Sequence, residues 1–422
     1  MKAKLRQQYP WLVAAAAFFL VACAMGLENN LYSLYLIPVT EALGVSRAAF
    51  SSAQSVRCLA ALVSNLLFGA LYQRFGFRRP ALLCIALVTA SYVWYAGAYD
   101  LVVFYAGALI FGLGESFLNT AGVARLTDSW FVRHKGAVLG AVMAASGLGG
   151  AVLGVTLEAA IRAFGWRGSF LLGAGLMATA GVLVLIIVRD HPKQLGLQPV
   201  RGEEAQKKRT SRTGCAAWEG QSMRLLLRRP YFYLTALSVF LCSVCTYGAY
   251  PIVTAHLQDQ GMSAAFAASM YSLMMLLLAA AKVIVGALSD RFGAHRAMAA
   301  CIVCNILGTG LLAVTKAPWQ AALMTVLMGF ALCTQTFAQP LLAAELFGTQ
   351  AHAATLGILL AMVSAGGLIA PPIINASFDA LGSYTPSLPV LTGLTALVLV
   401  MFLCCARAAM RERQKAAPLA EK

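Results

Sequence analysis

Four ionisable side chains stand where ionisable side chains are costly. Glu28, Arg57, Glu115 and Lys282 each lie well inside an apolar stretch long enough to cross a bilayer. A charge there costs at least ~2.5 kcal/mol on insertion scales, so it faces a partner, a cavity or a pathway. A buried cation can grip an anion, and a buried carboxyl can carry a proton. Counted from span midpoints at about 1.5 Å per residue, Glu28 and Arg57 fall slightly outward of centre, Glu115 near the midplane and Lys282 somewhat inward. Glu28 and Arg57 are thus placed to pair, either as a permanent structural ion pair or as part of a site. Glu115 has no partner at its own depth and is the first candidate for proton coupling; the alternative is a permanently neutral carboxyl in a helix contact. Tyr32 is one turn from Glu28, Asn119 one turn from Glu115, and Tyr271 three turns before Lys282, so each pair shares a helix face. Tyr247, Tyr250, Gln335 and Gln339 add further hydrogen-bonding groups, with ordinary helix packing as the alternative for each.

The elements that carry these residues follow from composition. Of 422 residues, 60% are apolar and 11% charged, and the mean hydropathy is +0.75. A soluble chain carries about a quarter charged residues, so soluble, disordered, collagenous and disulfide-scaffold classes are excluded. Apolar runs of about 20 residues exclude a transmembrane barrel. Twelve such segments are legible: 11–37, 47–72, 81–98, 101–125, 136–160, 168–188, 231–257, 264–288, 297–315, 318–342, 353–377 and 386–406. Placing both termini in the cytoplasm puts 26 of the 32 Lys and Arg on that side, which fixes the expected orientation. The net charge of +16 is therefore read as topology and not as a nucleic-acid surface. The first segment is expected to be retained as a helix, because it is too long for a signal-peptide core.

The chain repeats itself. Gly69-Ala70-Leu71-Tyr72-Gln73-Arg74-Phe75-Gly76 matches Gly286-Ala287-Leu288-Ser289-Asp290-Arg291-Phe292-Gly293 at an offset of 217. The same offset carries Asp128 to Glu345, Ala137-Val138-Leu139-Gly140 to Ala354-Thr355-Leu356-Gly357, and Gly165 to Gly382. A parallel duplication of a six-span unit is expected, giving an all-α polytopic protein of twelve transmembrane helices in two pseudo-symmetric bundles. The bundles would be residues 1–188 and 230–422, joined by a cytoplasmic linker over 189–229. The four intramembrane charges are not duplicated: their counterparts are Cys245, Met274, Leu332 and Asn65. Scaffold features recur while these do not, so they are assigned to ligand or coupling ion.

Other chemistries find no support. The eleven cysteines include Cys242-x-x-Cys245 and Cys301-x-x-Cys304, but neither motif has a second pair at zinc spacing, and both read as packing residues. No Walker sequence, nucleophile elbow or carboxylate pair stands out, and Gly147-Leu148-Gly149-Gly150 follows no strand. Neither a catalytic site, a cofactor nor a metal is expected.

The loop motif after spans two and eight resembles the signature of the major facilitator superfamily. Further strings are similar to its monocarboxylate transporter and oxalate:formate antiporter branch: Leu31-Tyr32-Ser33-Leu34-Tyr35-Leu36-Ile37-Pro38 with Ser46-Arg47-Ala48-Ala49-Phe50; Trp130-Phe131 through Arg133-His134-Lys135-Gly136; Gly165-Trp166-Arg167-Gly168-Ser169-Phe170; and His256-Leu257. The resemblance implies a conformational latch of Arg74, Asp128, Asp290, Arg291 and Glu345, with Gln73 in the place of an expected acid. It also implies a substrate-carboxylate cation at Lys282, four residues before Gly286. Two departures bear on the substrate. Animal members carry an Asp one turn before that cation, where this chain has Leu278, and oxalate transporters carry a Lys in span eleven, where 353–377 holds no charge. A monoanion is expected over a small dianion.

The function so expected is secondary active transport of a carboxylate-bearing organic anion by alternating access, as proton symport or anion exchange. Lys282, Arg57, Tyr32, Asn119, Tyr247, Tyr271 and Gln335 would contact substrate, and Glu115 and Glu28 would couple protons. Gly147 and Gly150 in span five, with Gly366 and Gly367 in span eleven, are hinge candidates or close-packing residues. Proton-coupled efflux of cationic or amphipathic drugs, and a non-transporting membrane sensor, are the alternatives. The expected partners are the organic anion, a proton or counter-anion and the bilayer, without nucleic acid. A monomer in the cell membrane is expected.

Overall fold

The computed structural model describes residues 2–131, 135–195, 222–336, 338–348 and 351–416. Its helices are α1 (Lys2–Leu34), α2 (Leu36–Leu43), α3 (Arg47–Phe75), α4 (Arg78–Ala96), α5 (Leu101–Leu113), α6 (Thr120–Trp130), α7 (Lys135–Ile187), α8 (Met223–Leu226), α9 (Pro230–Ala249), α10 (Val253–Asp259), α11 (Ala264–Phe292), α12 (Ala294–Val314), α13 (Pro318–Ala331), α14 (Cys333–Thr336), α15 (Ala338–Phe347), α16 (His352–Leu381) and α17 (Ser387–Ala416). The described residues contain no strand. All backbone polar groups of a lipid-facing segment must be satisfied within it, and helices do this.

The duplication extends to backbone detail. Helices α3 and α11 begin at Arg47 and Ala264 and end at Phe75 and Phe292, each pair 217 residues apart; α5 and α13 begin at Leu101 and Pro318. Turns are duplicated as well. Gly44 and Gly261, Gly76 and Gly293, and Gly165 and Gly382 all hold positive φ, between 63° and 92°, a region closed to most side chains. Gly165 kinks α7, so that this single 53-residue element carries spans five and six.

Eight described stretches are long and apolar enough to cross a membrane. The twelve apolar segments of the sequence all fall on helices, but four of those segments are interrupted. Span one breaks between α1 and α2 at Tyr35, and span seven breaks between α9 and α10 at Tyr250–Ile252. Span four is non-helical from Gly114 to Asn119, and span ten is interrupted at Leu332. These breaks also obey the 217 offset.

The chain divides into two compact units. Met1–Arg209 and Ser263–Ala279 form one, and Thr210–Met262 and Ala280–Lys422 the other. In the first, α1 packs along α7, α3 along α5 and α4 along α7; in the second, α9 packs on α16 and α17, and α12 on α13 and α17. An aromatic group anchors the first unit around the α1–α2 break. The ring of buried Tyr35 stacks on Phe170 at 4.1 Å between centroids, and its hydroxyl lies 2.7 Å from Ser169 Oγ.

Candidate functional site

Three of the four unduplicated charges meet in the first unit. Arg57 Nη1 donates to Glu28 Oε1 at 2.8 Å and to Glu115 Oε2 at 2.5 Å. Arg57 is 8% exposed, and its Nε has no hydrogen-bond partner among the described residues. The Glu28–Arg57 contact agrees with the depths counted along the sequence. Glu115, expected to be alone, is not: the break from Gly114 to Asn119 turns its carboxyl toward α3. Gly112 assists, since a Cβ there would collide with the carbonyl of Arg57; only glycine lets α5 lie this close to α3.

Around the triad the polar groups interlock. Ser64 donates to Leu113 O at 2.7 Å and lies 2.8 Å from Ser116 Oγ, so α3 ties down backbone that the broken helix leaves without partners. Asn119 Nδ2 donates to Asn65 Oδ1 at 3.1 Å. Tyr32 is buried, with its hydroxyl beside that of Tyr95. A narrow cavity of about 10 Å³ opens beside the two carboxylates, lined also by Met25, Val88, Phe111, Leu118 and Asn119. It holds on the order of one water molecule.

The remaining expected site residues lie elsewhere. Tyr271 is buried and donates its hydroxyl to Asn29 O. Lys282 belongs to the second unit, on α11, where Cys333 at the span-ten break is its electrostatic neighbour. Tyr247 packs its ring over Gly367. Gln335 sits in a buried hydroxyl and amide network with Thr246, Thr334 and Asn305. The sequence signal for Asn305 was available, as a lone amide in an apolar span, and was not used.

Three of the four hinge candidates, Gly147, Gly150 and Gly366, are at close helix crossings, while Gly367 has only ordinary contact with the Tyr247 ring. A Cβ on Gly147 would stand 2.7 Å from Met275 O, and one on Gly150 2.9 Å from Met275 Cγ. Gly149 faces the backbone of Ala22, while its counterpart Gly366 would meet Ser243 Cβ at 2.6 Å. Small residues permit these approaches.

At the loop motif the partners differ from expectation. The side chains of Asp128 and Asp290 lie outside the described residues, as do Arg133 and His134. Arg74 and Arg291 are exposed, each guanidinium over the ring of the next phenylalanine at 5.2 Å. Glu345 engages not Arg291 but His295: Oε2 accepts from the backbone N–H at 2.8 Å, and Oε1 lies 2.8 Å from Nδ1. In the first unit the equivalent cap on α4 comes from Asp190, which accepts from the N–H groups of Phe77 and Arg78 at 2.8 and 2.7 Å. Asp190 escaped the sequence reading because it lies in the expected linker and has Arg407, not an acid, at the 217 offset. Both carboxylates satisfy N–H groups that a helix start leaves open.

A duplicated helical bundle with broken spans and buried unduplicated charges defines a multi-pass membrane transporter. The chain matches the Major Facilitator Superfamily over residues 17–279 and 235–422 and belongs to that family. It is similar to human Monocarboxylate transporter 11, 25% identical over 393 residues that cover 89% of this chain and 79% of the relative. The Probable L-galactonate transporter of Escherichia coli (strain K12) is 27% identical over 180 residues, 42% of this chain and 40% of that one. Among solved structures, the nucleoside transporter NupG superposes with a TM-score of 0.70 at 13% identity, covering 94% of this chain and 98% of the other. Transport is the family's work, and the chain is not an enzyme.

Proposed function

We propose that this protein is a secondary active carrier of a carboxylate-bearing organic anion, working by alternating access in the cell membrane with both termini cytoplasmic. The observation that carries the reading is the Glu28–Arg57–Glu115 triad, buried beside a helix break and absent from the second repeat. Relatives named for monocarboxylates and for a sugar acid support the anion class.

Charge arithmetic links the triad to Lys282. With both carboxylates ionised the triad bears one net negative charge, and the Lys282 ammonium bears one positive charge. The empty carrier is therefore neutral in the membrane. Anion alone leaves it negative and proton alone leaves it positive, whereas both together restore neutrality. Uncompensated charge in a bilayer is costly, so the empty and the fully loaded carrier reorient and the half-loaded forms are held back. Symport and exchange both follow from that rule, depending on whether the empty carrier returns.

Lys282 holds the carboxylate as a point charge, Tyr32, Tyr247, Tyr271, Asn119 and Gln335 contribute polar wall, and Glu115 or Glu28 takes the proton. Gly147, Gly150, Gly366 and Gly367 provide bending points, and the loops at Arg74 and Arg291 with Glu345 steady one end state. The test is uptake into proteoliposomes of lactate, pyruvate, glycerate and gluconate under an inward proton gradient. Lys282→Gln is expected to abolish accumulation of whichever acid is carried, and full retention would remove Lys282 from the site. Glu115→Gln is expected to lose stimulation by the gradient while keeping exchange; an unchanged gradient response assigns the proton elsewhere.

A further inference from the structure

The second unit carries a groove along span seven that the transport reading does not use. It encloses about 470 Å³, within the range of roughly 300–1,000 Å³ that small-ligand sites occupy. Its walls come from α9 and α16, both within this unit. On α9, Phe232, Ala236 and Phe240 follow one another a turn apart, with Tyr233 and Leu237 beside them, and Met362 and Ala365 line it from α16. The two alanines make the depression, because small side chains set between large ones leave a trough. The one polar side-chain group in the described lining is the Tyr233 hydroxyl, and it is satisfied by Leu227 O at 2.8 Å.

The groove is not duplicated. Tyr233 and Leu237 are 55% and 43% exposed, whereas their counterparts at the 217 offset, Ala16 and Leu20, are 4% and 0% exposed. A basic run at its mouth is not duplicated either. Leu227 lines the groove, and Arg224, Arg228 and Arg229 flank it in sequence, where the first repeat has Gln7, Trp11 and Leu12. Arg229 is held 3.4 Å from Glu412, while Arg224 and Arg228 are exposed.

Length and charge select the occupant. From Phe232 to Phe240 the groove follows the helix for about 12 Å, and one leaflet of a bilayer core is about 15 Å deep. An apolar trough of that length fits an acyl chain, and it offers a carried anion no partner. Guanidinium groups bind phosphate oxygens, and the side of a membrane protein rich in Lys and Arg meets the leaflet that holds anionic lipid. We infer that this groove binds an anionic phospholipid, with one acyl chain between α9 and α16 and the phosphate at Arg224 and Arg228. The site takes its leaflet from the topology proposed above and is independent of which acid is carried. Ala365 precedes Gly366, whose crossing with Ser243 joins the same two helices, so a bound chain is expected to brace that crossing and raise thermal stability.

The probes are dioleoylphosphatidylglycerol and dioleoylphosphatidylcholine, which share acyl chains and differ in net charge. Each is titrated into the purified full-length carrier in neutral detergent, with half-saturation of thermal stabilisation as the readout and native mass spectrometry to count retained lipid. One phosphatidylglycerol per carrier is expected, bound at least roughly tenfold more tightly than phosphatidylcholine, since each surface arginine is worth about fivefold for an anionic headgroup. Arg224→Gln and Arg228→Gln, both at exposed positions, are each expected to reduce that preference about fivefold. Ala365→Phe, which fills the floor, and Leu237→Gln, which places an amide on an exposed wall, are expected to weaken both lipids alike. Equal binding of the two lipids to the wild-type protein overturns the site, as does a preference that neither arginine variant moves. Retention unaffected by Leu237→Gln and by Ala365→Phe places the chain elsewhere and overturns it too. Inorganic phosphate stabilising as well as phosphatidylglycerol would make the arginines a site for the free anion, and a dimer dissolved by the groove variants would make the trough an interface between copies; either result overturns the lipid.

Discussion

The break in span four and the break in span ten occupy the same place in two copies of one fold, and they hold opposite chemistry. Around the first stand Glu28, Arg57 and Glu115, and two further lining positions, Val88 and Leu118, are apolar. Around the second, the counterparts of the charged residues are Cys245, Met274 and Leu332, while those of Val88 and Leu118 are Asn305 and Gln335. Polarity has moved from one set of positions to the complementary set. The backbone break, its flanking helices and its turns were kept, and the side chains that use it were reassigned. Duplicated features thus mark the scaffold the two repeats share, and unduplicated ones mark where their chemistry diverges.

The largest test of this contrast removes a charge from the first break and touches its counterpart in the second repeat. Arg57→Ala strands two carboxylates in a buried site, and losing one partner of such a pair costs on the order of 3–5 kcal/mol. A marked fall in thermal stability of the purified carrier is expected, together with loss of uptake. Met274→Leu, at the equivalent position, conserves volume and is expected to cost less than about 1.5 kcal/mol. The combined variant Arg57→Met, Glu28→Gln, Glu115→Gln sharpens the comparison, because an apolar replacement of a whole buried ion cluster is often neutral for stability. Recovery of stability without recovery of gradient-driven uptake is the expected result. Wild-type uptake from the combined variant would make the triad scaffold.

A smaller effect probes what the two copies share. A Cβ at Gly149 falls on the Ala22 backbone, and one at Gly366 crowds Ser243, so Gly149→Ala and Gly366→Ala are each expected to destabilise by about 1–3 kcal/mol. Gly140 and Gly357, another pair 217 residues apart, have nothing within 4 Å of the same atom. Alanine at either is expected to be neutral or to stabilise by about 0.5–1 kcal/mol. Thermal midpoints of the four variants check both statements, and equal costs at all four positions would break the claim that the crossings depend on glycine.

Much of this architecture was legible because membrane crossing leaves a long-range signature. Twelve apolar runs, the Lys and Arg bias and the 217-residue repeat all survive in one-dimensional pattern. The breaks were not legible, because hydropathy averages over them: Gly112-Leu113-Gly114-Glu115 is a dip too short to divide the apolar segment 101–125. Their loss misplaced Glu115, whose carboxyl reaches Arg57 only because the helix is interrupted. Asp190 was invisible for another reason. Its counterpart in the repeat is Arg407, so a reading that searched for duplicated acids selected Asp128 and Glu345 instead. The amide cluster was half seen: Gln335 and Gln339 were named as polar wall, but Asn305, which joins Gln335 at Thr246, was not.

The smallest expected effect lies at the loop caps, where the two repeats again use different residues for one task. Glu345 is outside the apolar stretch of span ten, and its carboxyl is held below the ordinary value of 4.5. Burial pushes it up, but hydrogen bonds from the His295 side chain and backbone outweigh that, helped by the charges of His295 and Arg413. A depressed folded-state value means that the ionised form is favoured by folding, so its contribution is present above the ordinary value and fades as pH falls through the lowered one. Glu345→Gln is accordingly expected to lower stability by about 1 kcal/mol near neutrality, the scale of a helix cap, and the gap to wild type is expected to close at acid pH. Asp190→Asn retains an oxygen that accepts from Phe77 and Arg78, so its cost is expected to be smaller than that of Glu345→Gln at pH 7. Thermal midpoints of both variants at pH 7 and at acid pH measure the pair. A deficit in Glu345→Gln that persists unchanged in acid would mean that shape, and not the charge facing His295, holds this end of the second unit.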